Sequence, residues 1–262
     1  MPLEFTDTHC HLDFESFTVN FNQLLLDCKR LGISRIIVPS IGPQNWQAVL
    51  ALGQADYPIS IFVALGIHPW FLNEIDGDAL ESLKKLAYKH QNNIVAIGEA
   101  GIDGKVAEAH NNLSRQIEVF QTQIALANQL AKPIIVHHRR SHQHIQPILR
   151  RSSCSHGGII HAFSGSYQQA KNYLDLGFKL GVGGTITYPR AEKTLKTVSK
   201  LPLSSLVLET DAPSMPLYGQ QGRDNSPRNI PSIFESLCLL RSEPEENIAQ
   251  QLQSNVDSIF KF

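Results

Sequence analysis

The residues best suited to chemistry in this chain are histidines and carboxylates that follow short apolar runs. The first group is THCH at residues 8–11, in which His9 and His11 flank Cys10. In an extended strand, residues i and i+2 point to one face, about 6.5 Å apart along the strand, so both imidazoles face the same side. Two imidazoles at this spacing can bind one cation through bonds of about 2.0–2.1 Å. An ordinary strand that carries two histidines is the alternative interpretation of this pair alone.

Later apolar runs end in residues of the same chemical types: His68, Glu99, His137, His161 and Asp211. Each has a structural explanation when it is taken singly, such as a hydrogen-bonded core histidine, an ion-paired glutamate or an aspartate that caps the following helix. Together they are hard to explain in this way, because charged and polar groups gathered in one buried place need partners. Imidazole and carboxylate donors suit a divalent metal, and a bridging carboxylate suits two metals about 3.5–4 Å apart.

Eight short, β-branched apolar runs position these side chains, and near-continuous apolar runs are typical of parallel strands buried on both faces. The runs cover residues 3–9, 35–39, 59–67, 93–99, 133–138, 157–163, 177–184 and 204–211. Helical patterns lie between them. Residues 112–131 carry an apolar stripe at helical spacing, residues 166–177 predict a helix closed by Gly177, and SEPE predicts a capping box from Ser242 to Glu245 at the start of the last helix.

Eight strand–helix units predict the α/β class and a (β/α)8 TIM barrel of the metal-dependent hydrolase type, with residues 1–262 forming one domain. An open doubly wound sheet is the structural alternative. The barrel is favoured because the polar residues collect at the carboxyl ends of several different strands, which is where barrel enzymes place their chemistry.

Composition narrows the class of protein. Among 262 residues, 42% are hydrophobic and 18% are charged, which excludes a disordered or fibrous chain. The net charge of −1 argues against bulk nucleic-acid binding by a uniformly basic surface. Four dispersed cysteines and the absence of a signal-like or membrane-spanning run predict free thiols and a cytoplasmic protein that needs neither a membrane nor an obligate protein partner.

Six strings in the chain resemble the motifs of the TatD-type metal-dependent deoxyribonuclease family, in the family's order. They are DTHCHLD, GIHP, GEAGID, PIIVHHR, GIIHAFSG and LETDAP, and they span residues 7–213. NSP at 225–227 and SNVDSIF near the end extend the resemblance, and GVGGTITYPRA at 181–191 resembles the YjjV-like branch of the family.

The resemblance implies two divalent metal ions, which could be Mg, Mn or Zn, held by six side chains. It assigns His9, His11 and Asp211 to one ion, His137 and His161 to the second, and Glu99 to a bridge between them. Asp211 and Glu99 are then the catalytic carboxylates, with Asp211 at the family's water-activating position.

The substrate implied by the resemblance is DNA, cleaved at phosphodiester bonds, with exonucleolytic action expected. His68 lies at a position that faces the substrate in the family, and the planar guanidinium of Arg139 is suited to clamp a phosphate. The alternative is a metal-dependent hydrolase of a small lactone, amide or phosphoester, because the same barrel mouth serves that chemistry too. A binding protein without catalysis is disfavoured, because none of the six ligands is missing.

Three further expectations concern neighbours of the ligands. GEAGIDGK keeps Asp103 but has Gly104 where the family pattern is bulkier, which predicts a more mobile loop at 103–111 and an altered substrate preference. Asp7 is expected to orient the histidines rather than bind metal. Cys10 is expected to lie in the core, on the opposite side of the strand from the histidines.

Overall fold

A computed structural model describes residues 3–75 and 77–262, in which eight parallel strands follow one another around a sheet in the order β1 to β8. The strands are Phe5–Asp7, Ile33–Pro39, Ser60–Leu65, Ile94–Asp103, Ile134–Arg139, Gly158–Ile160, Phe178–Val182 and Leu206–Leu208. All eight predicted runs therefore contain a strand. Several of these strands are shorter than the apolar runs, so that His9, His11, His161 and Asp211 lie just beyond strand ends.

The first and last strands of the sheet lie next to each other, which closes the barrel. The Thr8 backbone N–H donates to the Leu208 carbonyl oxygen at 2.9 Å, and the His11 N–H donates to the Ala212 carbonyl oxygen at 2.8 Å. A parallel bridge joins Cys10 to Ala212. The predicted (β/α)8 barrel is confirmed, and the open doubly wound sheet is excluded.

Ten α-helices, α1 to α10, lie within the described parts of the chain. They are Phe21–Arg30, Trp46–Leu52, Ala79–Lys89, Gly104–His110, Leu113–Gln129, His142–Ser152, Tyr167–Leu174, Glu192–Lys200, Ile230–Cys238 and Glu245–Ile259. The helix expected at 112–131 is α5. The helix expected at 166–177 is α7, which begins with a capping box between Ser166 and Gln169 and ends at Leu174, before the left-handed Gly177 at φ +82°.

The predicted start of the last helix is wrong. Ser242 does not cap α10, which begins at Glu245 after Pro244 and has no side-chain cap. Arg241 instead pairs with the Glu243 carboxylate, and this ion pair holds the SEPE segment outside the helix.

Strands of the barrel are buried on both faces, as near-continuous apolar runs predict. In β2, Ile36 and Val38 belong to a large apolar cluster shared with the helices, whereas Ile37 between them belongs to a second, smaller cluster. Cys10 is fully buried in the large cluster, as expected, and all four cysteines are free thiols.

The segment after β4 is a helix, which corrects the expectation of a loop at residues 103–111. Residues Gly104–His110 form α4, and the Asp103 carboxylate caps it by accepting the Lys105 and Val106 backbone N–H groups at 2.8 and 3.0 Å. A Cβ atom at Gly104 would lie 3.1 Å from the Arg140 carbonyl carbon and 3.3 Å from its Cβ. Glycine therefore allows the start of α4 to approach the end of β5 closely.

Within the described residues, no helix is both long and apolar enough to cross a bilayer.

Candidate metal centre

The six predicted ligand side chains meet at the carboxyl end of the barrel. Their donor atoms, with those of His68, form three sets in which all atoms lie within 4.8 Å of one another. The sets are His9, Glu99 and His161; His9, His11 and Asp211; and His68, Glu99 and His137. All of these side chains are buried except that of Asp211, which is 16% exposed. Residues from six different strands, or from the segments directly after them, thus converge on one place.

Glu99, in the middle of β4, stands at the centre of the cluster. Its Oε2 atom lies 3.0 Å from His9 Nε2 and 3.6 Å from His11 Nε2, whereas its Oε1 atom lies 2.8 Å from His137 Nδ1 and 3.9 Å from His161 Nε2. One carboxylate therefore presents each oxygen to a different pair of imidazoles. This is the arrangement that a carboxylate bridging two cations requires.

The histidine pair that follows β1 converges as the spacing predicts. His9 Nε2 and His11 Nε2 lie 3.3 Å apart, and Asp211 Oδ1 lies 3.7 and 3.8 Å from them. Asp211 has a left-handed backbone conformation, with φ +58°, which is uncommon for a residue other than glycine and is found at functional sites. Two imidazole nitrogens and a carboxylate oxygen directed at one point are a donor set that fits a divalent cation.

The second predicted pair, His137 and His161, faces one oxygen of Glu99, Oε1, but the two residues belong to different donor sets. The ring of His161 stacks on that of His9, with ring centroids 3.6 Å apart, whereas 6.4 Å separates it from His137. His137 Nδ1 lies 3.1 Å from His68 Nε2 instead. The structure brings all six residues together, and the assignment of His137 and His161 to one common ion stays a prediction.

His68 lies deeper than a position facing the substrate suggests. It is 6% exposed, and its Nε2 lies 3.3 Å from Glu99 Oε1. Its Nδ1 accepts the Trp70 backbone N–H at 3.1 Å, so Nε2 carries the proton and faces Glu99 and His137. Burial lowers the pKa of His68 to about 4, although the nearby Glu99 carboxylate acts in the opposite direction. The ring is therefore neutral. Its role toward the substrate stays a prediction.

Two buried carboxylates orient the outer histidines, and sequence reasoning gave neither of them this role. Asp103 Oδ2 lies 3.0 Å from His137 Nε2, and Glu209 Oε1 lies 3.0 Å from His161 Nδ1. A proton on each of these nitrogens leaves the opposite nitrogen, His137 Nδ1 or His161 Nε2, to face Glu99 with its lone pair. Glu209 precedes Asp211 by two residues, the same spacing as that of His9 and His11. This spacing is the sequence signal from which the role of Glu209 could have been predicted.

Asp7 acts on the backbone rather than on the imidazoles. Its Oδ1 accepts the His9 N–H at 3.2 Å and the Thr210 N–H at 2.9 Å, and its Oδ2 accepts the Thr210 hydroxyl at 2.5 Å. Asp7 belongs to none of the three donor sets. It therefore aligns the segments that carry His9 and Asp211. Asp7 was expected to orient the histidine rings directly, whereas it holds the main chain that carries them.

The electrostatics of the cluster follow from the Glu99 charge. Burial alone would raise the pKa of Glu99, but the neighbouring histidines hold it well below its usual range. Burial likewise opposes the charged forms of His11 and His137, but nearby carboxylates raise the pKa of both. Burial and the proximity of His161 lower the pKa of His9. The ionised glutamate thus favours positive charge around it, whether from protons or from a cation.

A cleft of about 770 Å³ opens from the cluster. Its lining includes His137, His161 and Asp211, and also three basic residues: Arg139, Arg140 and Lys193. Arg139 is the last residue of β5, its side chain is 52% exposed, and its Nη1 lies 3.5 Å from Asp103 Oδ2. The residue predicted to clamp a phosphate therefore lines the cleft beside the candidate metal centre.

Comparisons with known proteins agree with this geometry. The sequence profile described as TatD related DNase matches residues 6–261. A curated relative from Escherichia coli K12, named uncharacterized metal-dependent hydrolase YjjV, is 42% identical over 260 residues, which are 99% of each chain. An uncharacterized metal-dependent hydrolase from Haemophilus influenzae is 37% identical over 262 residues, covering 98% of this chain and all of that one.

Solved structures show the same likeness. The crystal structure of YJJV, a TatD homologue from E. coli K12, superposes with a TM-score of 0.93 at 41% identity, covering 99% of both chains. A TatD family hydrolase from Entamoeba histolytica superposes with a TM-score of 0.87 at 20% identity over 99% of both chains, which shows the shared fold.

Proposed function

This chain belongs to the TatD related DNase family of metal-dependent hydrolases, and we propose that it hydrolyses phosphodiester bonds in DNA with two divalent cations. The observation that carries the proposal is the position of Glu99, whose two oxygens face different imidazoles. Oε2 lies 3.0 Å from His9 Nε2, and Oε1 lies 2.8 Å from His137 Nδ1. Cations held by these residues would stabilise charge on the phosphoryl oxygens and would lower the pKa of an attacking water.

The residues of the chain supply the remaining parts of the reaction. Asp211 is the one carboxylate of the cluster with a partly exposed side chain, and it also lines the cleft. It can therefore meet a water in the cleft and accept its proton. His68 stays neutral, and its Nε2–H lies 3.1 Å from His137 Nδ1 and 3.3 Å from Glu99 Oε1, so it helps to position both groups. A covalent enzyme intermediate is not required.

The charge of the cleft supports a polyanionic substrate. Arg139, Arg140 and Lys193 line the cleft, and local basic charge attracts a phosphate backbone even though the net charge of the chain is −1. The limited volume of about 770 Å³ supports action at a strand end, where few nucleotides need to enter.

A small-molecule hydrolase is the second candidate, because this volume also lies within the range of about 300–1,000 Å³ for small-molecule sites. The two functions are separated by assaying single- and double-stranded DNA, labelled at either end, with Mg²⁺, Mn²⁺ or Zn²⁺ and with chelator. We expect metal-dependent release of nucleotides from one end. Intact DNA under every condition, together with hydrolysis of a lactone or amide, would reverse the choice.

A further inference from the structure

Trp70 occupies the rim of the cleft and has no part in the chemistry described above. It lies in a short helical turn, Pro69–Phe71, directly after His68, and it also lines the cleft beside His137 and Arg139. The side chain is 48% exposed, although an exposed indole leaves a large apolar surface in water. The chain has two tryptophans, and the other, Trp46, is 5% exposed.

The indole is held in one orientation by its contacts. Its Nε1–H donates to Asp103 Oδ2 at 2.7 Å, and its backbone N–H donates to His68 Nδ1 at 3.1 Å. The His68 ring meets it edge-on, with centroids 5.5 Å apart at 85°. An aromatic ring that is already immobilised loses little side-chain entropy when a ligand stacks on it.

The same contacts tie the indole to the metal centre. Asp103 Oδ2 accepts from Trp70 and also lies 3.0 Å from His137 Nε2, so a single carboxylate oxygen fixes both. The ring centroids of Trp70 and His137 are 6.3 Å apart. A group stacked on Trp70 is therefore an immediate neighbour of a group bound at the cluster.

Arg139 adds a cation to this aromatic surface. Its guanidinium carbon lies 5.8 Å from the centroid of the Trp70 ring, and its Nη1 lies 3.5 Å from Asp103 Oδ2. An aromatic face beside a guanidinium matches the two parts of a nucleotide, because the ring stacks on the base and the cation meets the phosphate.

We propose that Trp70 is a nucleobase-binding platform that stacks on the base next to the scissile phosphate, with Arg139 meeting the adjoining phosphate. This inference rests on the proposed action on DNA and makes it more specific. Stacking on an indole accepts any base, so the platform supplies affinity without sequence preference. It requires a base that is unpaired, and the substrate is therefore single-stranded DNA or a frayed end.

The test uses a thymidine pentanucleotide and a backbone of equal length with abasic residues, both in the presence of chelator so that neither is cleaved. Tryptophan fluorescence reports stacking, because Trp46 is buried, with its Nε1–H bound to the Gly66 carbonyl oxygen at 2.9 Å. We expect saturable quenching by the thymidine oligonucleotide only, and none in Trp70→Phe, in which Trp46 is the remaining tryptophan.

Two variants separate stacking from the hydrogen bond to Asp103. Trp70→Phe keeps an aromatic face and loses the donor, whereas Trp70→Gln keeps a donor and loses the face. By fluorescence anisotropy of labelled oligonucleotides, we expect Trp70→Gln to bind the thymidine oligonucleotide about 5- to 100-fold more weakly, Trp70→Phe to lose much less, and both to bind the abasic backbone as the wild type does.

The outcomes separate this inference from the proposed function. If the wild type cleaves DNA yet binds the two oligonucleotides equally, the platform is refuted and the phosphodiesterase stands. If Trp70→Gln retains wild-type affinity for thymidine, the platform is refuted as well. If the wild type neither binds nor cleaves either oligonucleotide with metal present, both ideas fail.

Discussion

Glu209 Oε1 lies 3.0 Å from His161 Nδ1, and the same oxygen accepts the Ala162 backbone N–H at 2.6 Å. Glu209 is 1% exposed, so its charge is balanced within the protein. The carboxylate directs the opposite nitrogen of His161 toward Glu99 and Asp211. Orientation of a metal-binding histidine by a neighbouring carboxylate is a general feature of metal sites.

The first prediction concerns this contact. Glu209→Gln keeps the shape of the side chain and removes the charge that orients His161, so we expect metal affinity to fall about 10- to 100-fold. Isothermal titration of the metal-free protein with Mn²⁺ or Zn²⁺ measures the change. Glu235→Gln, on the exposed face of α9, is the matched control and should bind as the wild type does. Equal metal affinities in the two variants would show that Glu209 does not contribute to the metal site.

A second prediction tests the bridging position of Glu99. Glu99→Ala removes the one carboxylate that faces both imidazole pairs, so we expect the metal content to fall at both positions and DNA hydrolysis to be lost. Elemental analysis of the dialysed protein gives the number of ions per chain. Glu81→Ala, at an exposed position of α3, serves as the control. An unchanged metal content in Glu99→Ala would contradict the bridge.

Metal binding should also release protons. Burial opposes protonation of His161, but the charges of Glu209, Asp211 and Glu99 raise its pKa to about 10 in the metal-free protein. At pH 7 the ring therefore carries a proton that a cation must displace, and the apparent affinity should fall as the pH is lowered from 9 to 6. Titrations in buffers of different ionisation enthalpy count the protons released. A heat independent of the buffer would exclude this coupling.

Arg139 is predicted to act on affinity for DNA rather than on the chemical step. Because Arg139→Gln removes one of the three cations that line the cleft, we expect KM for single-stranded DNA to rise several-fold with a small change in kcat. The slope of log affinity against log salt should also decrease by about 0.7 for the lost phosphate contact. Arg150→Gln, on the exposed face of α6, is the control. A fall in kcat at unchanged KM would give Arg139 a different role.

Gly104→Ala tests the close approach of α4 to the end of β5. The added Cβ would lie 3.1 Å from the Arg140 carbonyl carbon, so α4 or the β5 end must shift. We expect the free energy of unfolding to fall by about 1–3 kcal/mol, measured by urea denaturation. Gly77→Ala is the control, because nothing lies within 4 Å of its added Cβ. Equal stability of both variants would show that the contact yields without cost.

The barrel and the convergence of the six ligands could be predicted from the sequence, because both follow from where apolar runs end. The groupings within the cluster could not, because the stacking of His161 on His9 depends on packing across strands. The same holds for Asp103, whose partners Trp70 and His137 are 33 and 34 positions away in the chain. Ser242 shows the opposite error, since a valid local signal was overridden by the pairing of Arg241 with Glu243.

The joining of β1 to β8 has a consequence for biosynthesis. His9 and His11 emerge from the ribosome early, yet their backbone partners at Asp211 and Ala212 are synthesised about 200 residues later. A nascent chain carries the first imidazole pair for most of its translation without the carboxylate that completes the donor set. The donor set that includes Asp211 can thus form only after the last strand has left the ribosome, and cation binding by a stalled ribosome complex would mark the closing of the barrel.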